Sequence, residues 1–279
     1  MGAQATEPAP DIVMNQATFR KSWSVVPFAE ACARSGLSQV SIWGDTVADA
    51  GVAQARQVLR DTGLTVFGWN RAGPLLAEDP SGCATLLEAA CDQVCLAAEF
   101  GADHVIAFTG GLPNVQTRLQ DGRAQAEDAI AKLAEVSRDA GIALAVEPLH
   151  PMLLGDRTVL ATMRAANDLC DRLDLGLIVD SHHVWWDPSL SAELTRAQGR
   201  IRGFHVNDWL IPMPHPLNGR GMMGDGIIDL AGLWWDVRGA GYAGPIEVEI
   251  FSDHWWAQPP EQVLALALNR CAQIFGSVP

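Results

Sequence analysis

Two hydrophobic rhythms alternate along the chain. Short runs rich in Val and Ile give way to longer stretches with apolar residues at i, i+3 and i+4, and several of these close on glycine. The short runs predict strands over 12–18, 39–43, 64–69, 104–108, 142–146, 175–179, 201–206 and 246–250. The longer stretches predict helices over 25–35, 52–61, 84–100, 123–140, 158–172, 190–197, 230–239 and 260–274. Eight strand–helix pairs in about this length predict an α/β fold, a single-domain (β/α)8 TIM barrel over 11–279 behind a disordered tail at 1–10. A doubly wound open sheet would want a glycine-rich phosphate turn after its first strand, and Asn15-Gln16-Ala17-Thr18 offers none.

Composition narrows the picture. The chain has 279 residues, 48% of them hydrophobic, enough to bury one large core. It shows neither a transmembrane-length apolar run nor a charged-then-apolar leader, so the expectation is a cytoplasmic protein with no membrane attachment. Five of the six cysteines fall in predicted helices and Cys83 at the edge of one, without a CxxC pair. Cys91 and Cys95 share a helix face, but no second pair answers them, so buried packing thiols are expected. A net charge of −14 with only 19 basic residues argues against nucleic acid. A small neutral substrate is expected instead.

The chemistry gathers where predicted strands end. The sixth runs into Asp180, His182, His183, Trp185 and Trp186. The fifth ends on Glu147 with His150 beyond it, the seventh on His205 and Asp208, and the eighth on Glu249. In a barrel, the C-terminal strand ends form the active-site mouth. Each carboxylate alone has an ordinary alternative as a surface or capping group. Together, three carboxylates crowded at one height resist joint ionisation unless a cation neutralises them. Three oxygen donors and one imidazole suit one divalent metal ion, Mn²⁺ best, with Mg²⁺, Co²⁺ or Zn²⁺ as alternatives.

The motifs VEPLHP (146–151), VDSHH (179–183), FHVND (204–208), GDGIID (224–229) and VEIF (248–251) resemble the xylose isomerase-like TIM-barrel superfamily of sugar isomerases and epimerases, inosose dehydratase and endonuclease IV. The resemblance implies Glu147, Asp180, His205 and Glu249 as metal ligands, with Glu147 and Glu249 also transferring protons. It implies His183 as a contact to substrate oxygen and Arg220 as a substrate-binding residue. Leu153 stands where ketose 3-epimerases carry a further acid, which argues against that narrow assignment.

A metal holding adjacent carbonyl and hydroxyl oxygens acidifies the C–H between them and stabilises the resulting enediolate. Return of the proton gives isomerisation or epimerisation, and loss of a β-substituent gives elimination. The expected function is therefore a metal-dependent sugar or cyclitol isomerase or epimerase. The first rival is a lyase on the same site, a keto-inositol dehydratase or 3-oxo C-glycoside deglycosidase. A non-catalytic partner subunit and an endonuclease IV-like nuclease follow. A homo-oligomer or a partner subunit stays open.

Eight of the ten tryptophans fall near predicted strand ends, and aromatic faces pack on sugar C–H faces. Trp23, Trp69, Trp185 and Trp186 are the expected walls of the pocket, with His150 beside them; the alternative is that they fill the barrel top. The loop over 210–224 holds three prolines and predicts a substrate lid or partner-binding loop worked by His215 and Arg220. His104, at the start of a strand, is expected to be structural and His182 to stand behind the ligands, with the rim the lesser alternative for His254.

Overall fold

The computed structural model describes residues 10–276. Most of the expected N-terminal tail therefore lies outside the described residues. Eight parallel strands close into one barrel: β1 (Ile12–Asn15), β2 (Gln39–Trp43), β3 (Thr65–Ala72), β4 (His104–Ala107), β5 (Ala143–Val146), β6 (Gly176–Asp180), β7 (Ile201–Val206) and β8 (Ile246–Val248). β8 pairs back onto β1 in parallel, from Ile12 opposite Ile246 to Met14 opposite Val248.

The helices run outside this wall. In chain order they are α1 (Val25–Arg34), α2 (Gly44–Ala50), α3 (Val52–Thr62), α4 (Pro80–Glu99), α5 (Leu119–Ala140), α6 (Met163–Leu173), α7 (Ser181–Val184), α8 (Leu190–Arg196), α9 (Leu230–Gly239), α10 (Asp253–Trp256) and α11 (Pro260–Phe275).

Period-two alternation explains both the core and the site. Outward positions such as Val40, Ile42, Val105, Val179, Phe204, Val206, Ile246 and Val248 are fully buried in the main core between strands and helices. The residues between them point inward. Ile106, Ala145 and Ile178 form a separate small apolar plug on the barrel axis. The rest of the interior is polar or small: Ser41, Gly68, His104, His205, Glu247 and Glu249. At Gly68 a Cβ would stand 2.7 Å from Ser41 Oγ and 3.3 Å from His104 Nε2, so this crowded layer admits only hydrogen.

Differences from the predicted boundaries have local causes. β1 stops at Asn15 because its Oδ1 accepts from Ala17 N at 2.9 Å and turns the chain into a 3-10 helix. α6 starts at Met163 rather than 158, capped by Thr162 Oγ1 accepting from Ala165 N at 3.2 Å. α2 sits in a stretch expected to be a link, separated from α3 by Gly51 at φ 88°. α4 begins at Pro80, where Asp79 caps Gly82 N. Short helix α7 follows β6 directly and α10 follows β8 after four residues, which the strand pattern did not predict.

The cysteine expectation needs correction. All six are free and helical, but only Cys32, Cys170 and Cys271 are buried. Cys95 is exposed, and Cys83 and Cys91 are half-buried, because they fall on the outer flank of α4. No helix among the described residues is long and apolar enough to cross a membrane.

Candidate metal centre

β5, β6, β7 and the end of β8 bring Glu147, Asp180, His205 and Glu249 together. Each offers one ligand atom, and those atoms all lie within 4.8 Å of one another. Asp180 and His205 are fully buried, while the Glu147 side chain keeps 14% of its surface exposed. His205 Nδ1 lies 3.4 Å from Glu147 Oε1 and 3.7 Å from Glu249 Oε2. Neither His205 ring nitrogen and not Glu147 Oε1 has a hydrogen-bond partner. Buried polar atoms rarely go unpaired unless a function uses them, and four converging donors of these types fit a divalent cation.

The surrounding groups hold the cluster in shape. Asn15 Nδ2 donates to Glu247 Oε1 at 2.7 Å and to Glu249 Oε1 at 3.2 Å. Asp180 Oδ1 accepts from His182 N at 2.8 Å and from Asn207 Nδ2 at 3.0 Å. Arg220 Nη1 donates to Asp180 Oδ2 and to Glu249 Oε2, both at 2.9 Å. Glu247, one pleat below Glu249, stands 3.4 Å from His205 Nε2. β8 thus turns two glutamates inward, and sequence reading took only the second. Their i, i+2 spacing on one strand was the available signal.

Electrostatics follow from this packing. Burial pushes the Glu147 carboxyl up to about 7, with Glu249 and Asp180 adding to the rise and His205 opposing it. Burial alone would lower His205, but Glu247 and Glu249 raise it well above the ordinary histidine value. Burial would raise Glu247, and His205 reverses this, so Glu247 stays ionised. Burial and the Arg220 charge hold His183 well below its ordinary value, as a neutral ring. His183 Nδ1 accepts from His150 N at 3.0 Å. Its Nε2 lies 3.1 Å from Arg220 Nη2, which can only donate.

A cavity of about 210 Å³ opens above the cluster, lined by Glu147, Glu249, His183 and Arg220 together with Trp43, Phe108 and Phe251. A larger cleft of about 450 Å³ lies at the opposite end, against His104, Asp103 and Tyr242. That end is the stability face of such barrels and holds none of the cluster residues.

The tryptophan expectation is redirected. Trp69 is fully buried on the outer face of β3, where its Nε1 donates to Gln93 at 3.0 Å, and the cavity-facing residue is its neighbour Asn70. Trp23 stacks on Phe19. Trp185 packs against Trp209, and Trp186 Nε1 donates to His183 O at 2.8 Å. None of these four lines the cavity, and neither does the His150 ring, which rests on Trp209. Strand parity decided Trp69, and parity is invisible when only the residue type is counted, whereas Trp23, Trp185 and Trp186 lie off the strands.

The long loop is built on Asp208. Its carboxylate accepts from the amides of Trp209, Gly224, Gly226 and Ile228 at 2.9–3.1 Å. A Cβ at Gly226 would come within 2.3 Å of Trp209 O, so the GDGIID turn requires glycine there. The loop delivers Arg220 and Leu217 to the cavity, whereas His215 is exposed and its Nδ1 accepts from Leu217 N and Asn218 N. His182 is buried behind Asp180 against Trp209, and His254 is exposed beside Trp255. His104 is buried with both ring nitrogens unpartnered.

A closed eight-stranded barrel with a carboxylate–imidazole cluster at its C-terminal mouth defines a TIM-barrel protein with a candidate divalent-metal centre. The chain belongs to the xylose isomerase-like TIM barrel family, which it matches over residues 29–273. It is similar to protein SMc04130 of Sinorhizobium meliloti 1021, at 37% identity and a TM-score of 0.92, covering 94% of this chain and 98% of that one. It is 28% identical over 264 residues to the 3-dehydroshikimate dehydratase of Pseudomonas aeruginosa, covering 87% of this chain. The chain spans 38% of that relative's length. The 3-keto-D-glucoside 4-epimerase of E. coli shares the fold, with a TM-score of 0.75 at 18% identity, covering 95% of this chain and 99% of that one.

Proposed function

We propose that the chain is a divalent-metal-dependent enzyme that moves a proton next to the carbonyl of a small carbohydrate or cyclitol, with isomerisation or epimerisation as the outcome. The observation that carries this reading is the four-donor cluster with Glu147 and Glu249 on two sides of one small cavity. Glu147, Asp180, His205 and Glu249 would hold the ion, for which Mn²⁺ suits the donors best. When bound, it supplies Lewis-acid polarisation of the substrate carbonyl.

The side chains do the rest. Glu147, at one side of the cavity, takes or returns the proton. Glu249 approaches from the far side of the cluster, from the end of β8, and serves as the opposing proton carrier. Arg220 Nη2 and the neutral His183 ring, side by side, contact a substrate oxygen. Phe108, Trp43 and Phe251 exclude water and cover the apolar face of the substrate.

A lyase on the same residues is the second reading, favoured by the likeness to a dehydratase. It uses the same proton abstraction and then expels a β-oxygen, which leaves with the proton the carboxylate took. The six free cysteines fit a reducing, cytoplasmic setting. Incubation of the Mn²⁺-loaded protein with candidate ketoses in deuterated water tests both readings. Deuterium at the exchanging carbon supports the isomerase or epimerase, and a new enone absorbance or a released fragment supports the lyase. Glu249→Gln should slow either by on the order of 10²-fold or more. Metal-dependent turnover unchanged in that variant overturns the mechanism.

A further inference from the structure

The cavity wall opposite the cluster is basic, although the chain as a whole is strongly acidic. Arg71, Arg20 and Arg157 line it. Arg20 is ion-paired to Asp45, and Arg157 to its neighbour Asp156 at 3.2 Å. Arg220, deeper in, is committed to Asp180 and Glu249. Arg71 differs from all of these. Among the described residues no carboxylate lies within ion-pair distance of it, and its guanidinium makes no hydrogen bond.

Arg71 is nevertheless held in place. Its Cζ sits 3.9 Å above the Phe108 ring and 5.6 Å from the Trp43 ring, and the Arg20 guanidinium covers Trp43 at 4.7 Å. Aromatic packing fixes the plane of the fork while leaving its N–H edge free for an acceptor. Beside it Asn70 is 4% exposed, lines the same cavity, and its Nδ2 has no partner. Burial and then the Arg20 charge weigh most against the protonated form, with Asp45 and Glu249 opposing at longer range. A rigid fork and an amide donor, both unpaired and both facing the cavity, demand an acceptor from outside.

We infer that the substrate carries an oxyanion, a carboxylate or a phosphate, seated bidentately on Arg71 with Asn70 as the additional donor. This rests on the metal-centre reading for the reacting end of the molecule. The cluster polarises the carbonyl, and Arg71 anchors the charged end on the opposite wall. The substrate is then a hydroxylated carbonyl compound with a terminal acid group, and the acidity of the chain belongs to its outer surface.

The test uses the metal-stripped full-length protein, with acetate and inorganic phosphate as probes and the fluorescence of the cavity tryptophan as readout. Wild type should bind at least one of the two saturably, with the tighter identifying carboxylate or phosphate as the natural group. Arg71→Met should weaken that binding about tenfold or more, and Arg71→Lys, which keeps the charge but loses the fork, by less. Circular dichroism checks each variant, and Arg71→Lys serves alone if Arg71→Met does not fold. Absence of saturable binding in wild type, or binding unchanged in the variants, overturns the inference. Mn²⁺ titration of the same proteins separates the two readings. If none binds Mn²⁺, the metal centre fails while an Arg71-dependent anion site stands.

Discussion

Replacing Glu247 by Gln exchanges one oxygen for nitrogen in a side chain that solvent does not reach. In the wild type, Glu247 Oε2 faces His205 Nε2 at 3.4 Å, and its other oxygen accepts from Asn15 Nδ2 at 2.7 Å. The carboxylate favours a proton on Nε2, which leaves the Nδ1 lone pair turned toward Glu147 and Glu249 as the ligand. Gln keeps the Asn15 contact by presenting its oxygen there, and so presents its NH₂ to His205. Donor then meets donor, and the ring gains by shifting its proton to Nδ1, which removes the ligand lone pair. Loss of such a partner typically costs 10- to 100-fold in metal affinity, about 1.4–2.7 kcal/mol. The assay is calorimetric titration of Mn²⁺ into EDTA-stripped protein. Thermal denaturation gives a second readout. At a Mn²⁺ concentration 100 times the wild-type Kd, metal stabilises wild type by about 2.7 kcal/mol, and a variant weakened 100-fold by only about 0.4 kcal/mol. A Mn²⁺ Kd unchanged within about twofold, in a variant that melts like wild type without metal, refutes the assignment of Glu247 as the residue that orients His205.

Two further outcomes follow from buried groups outside the four-donor cluster. Burial depresses His104 from 6.5 to about 4, so the unfolded chain takes up a proton that the folded barrel refuses. Stability from this group is complete above pH 6.5 and lost as pH falls to about 4, by on the order of 3 kcal/mol. His104→Gln should flatten that slope in urea titrations across the window, and an unaltered slope counts against it. Asp208→Ala removes the acceptor for four loop amides, so it should destabilise the fold by about 2–4 kcal/mol. Limited proteolysis should then cut within 210–224 far faster than in wild type, and equal resistance contradicts the stapling role.

The eight strand–helix repeats were legible in the sequence because each rests on local physics. Val- and Ile-rich runs and glycine-closed amphipathic stretches announce themselves within a few residues. The four-donor cluster was legible for a related reason. A barrel places every strand end on one rim, so Glu147, Asp180, His205 and Glu249 needed only their strands to be found. The remainder depended on which way each side chain points and what closes over it. Trp69 and Asn70 are neighbours in sequence, yet one is core and the other cavity wall, because a shift of one residue on a strand reverses its face. Glu247 became visible only when β8 was set beside β7, bringing it to His205. Arg71 carries no signal in a chain of net charge −14. Its meaning comes from long-range packing, which pairs Arg20 and Arg157 with carboxylates and leaves Arg71 with aromatic rings alone. Sequence alone determined the barrel and the four donors at its rim; the tertiary structure decided their orientation, the cavity walls and the charge the cavity presents, because those are properties of contacts between distant strands.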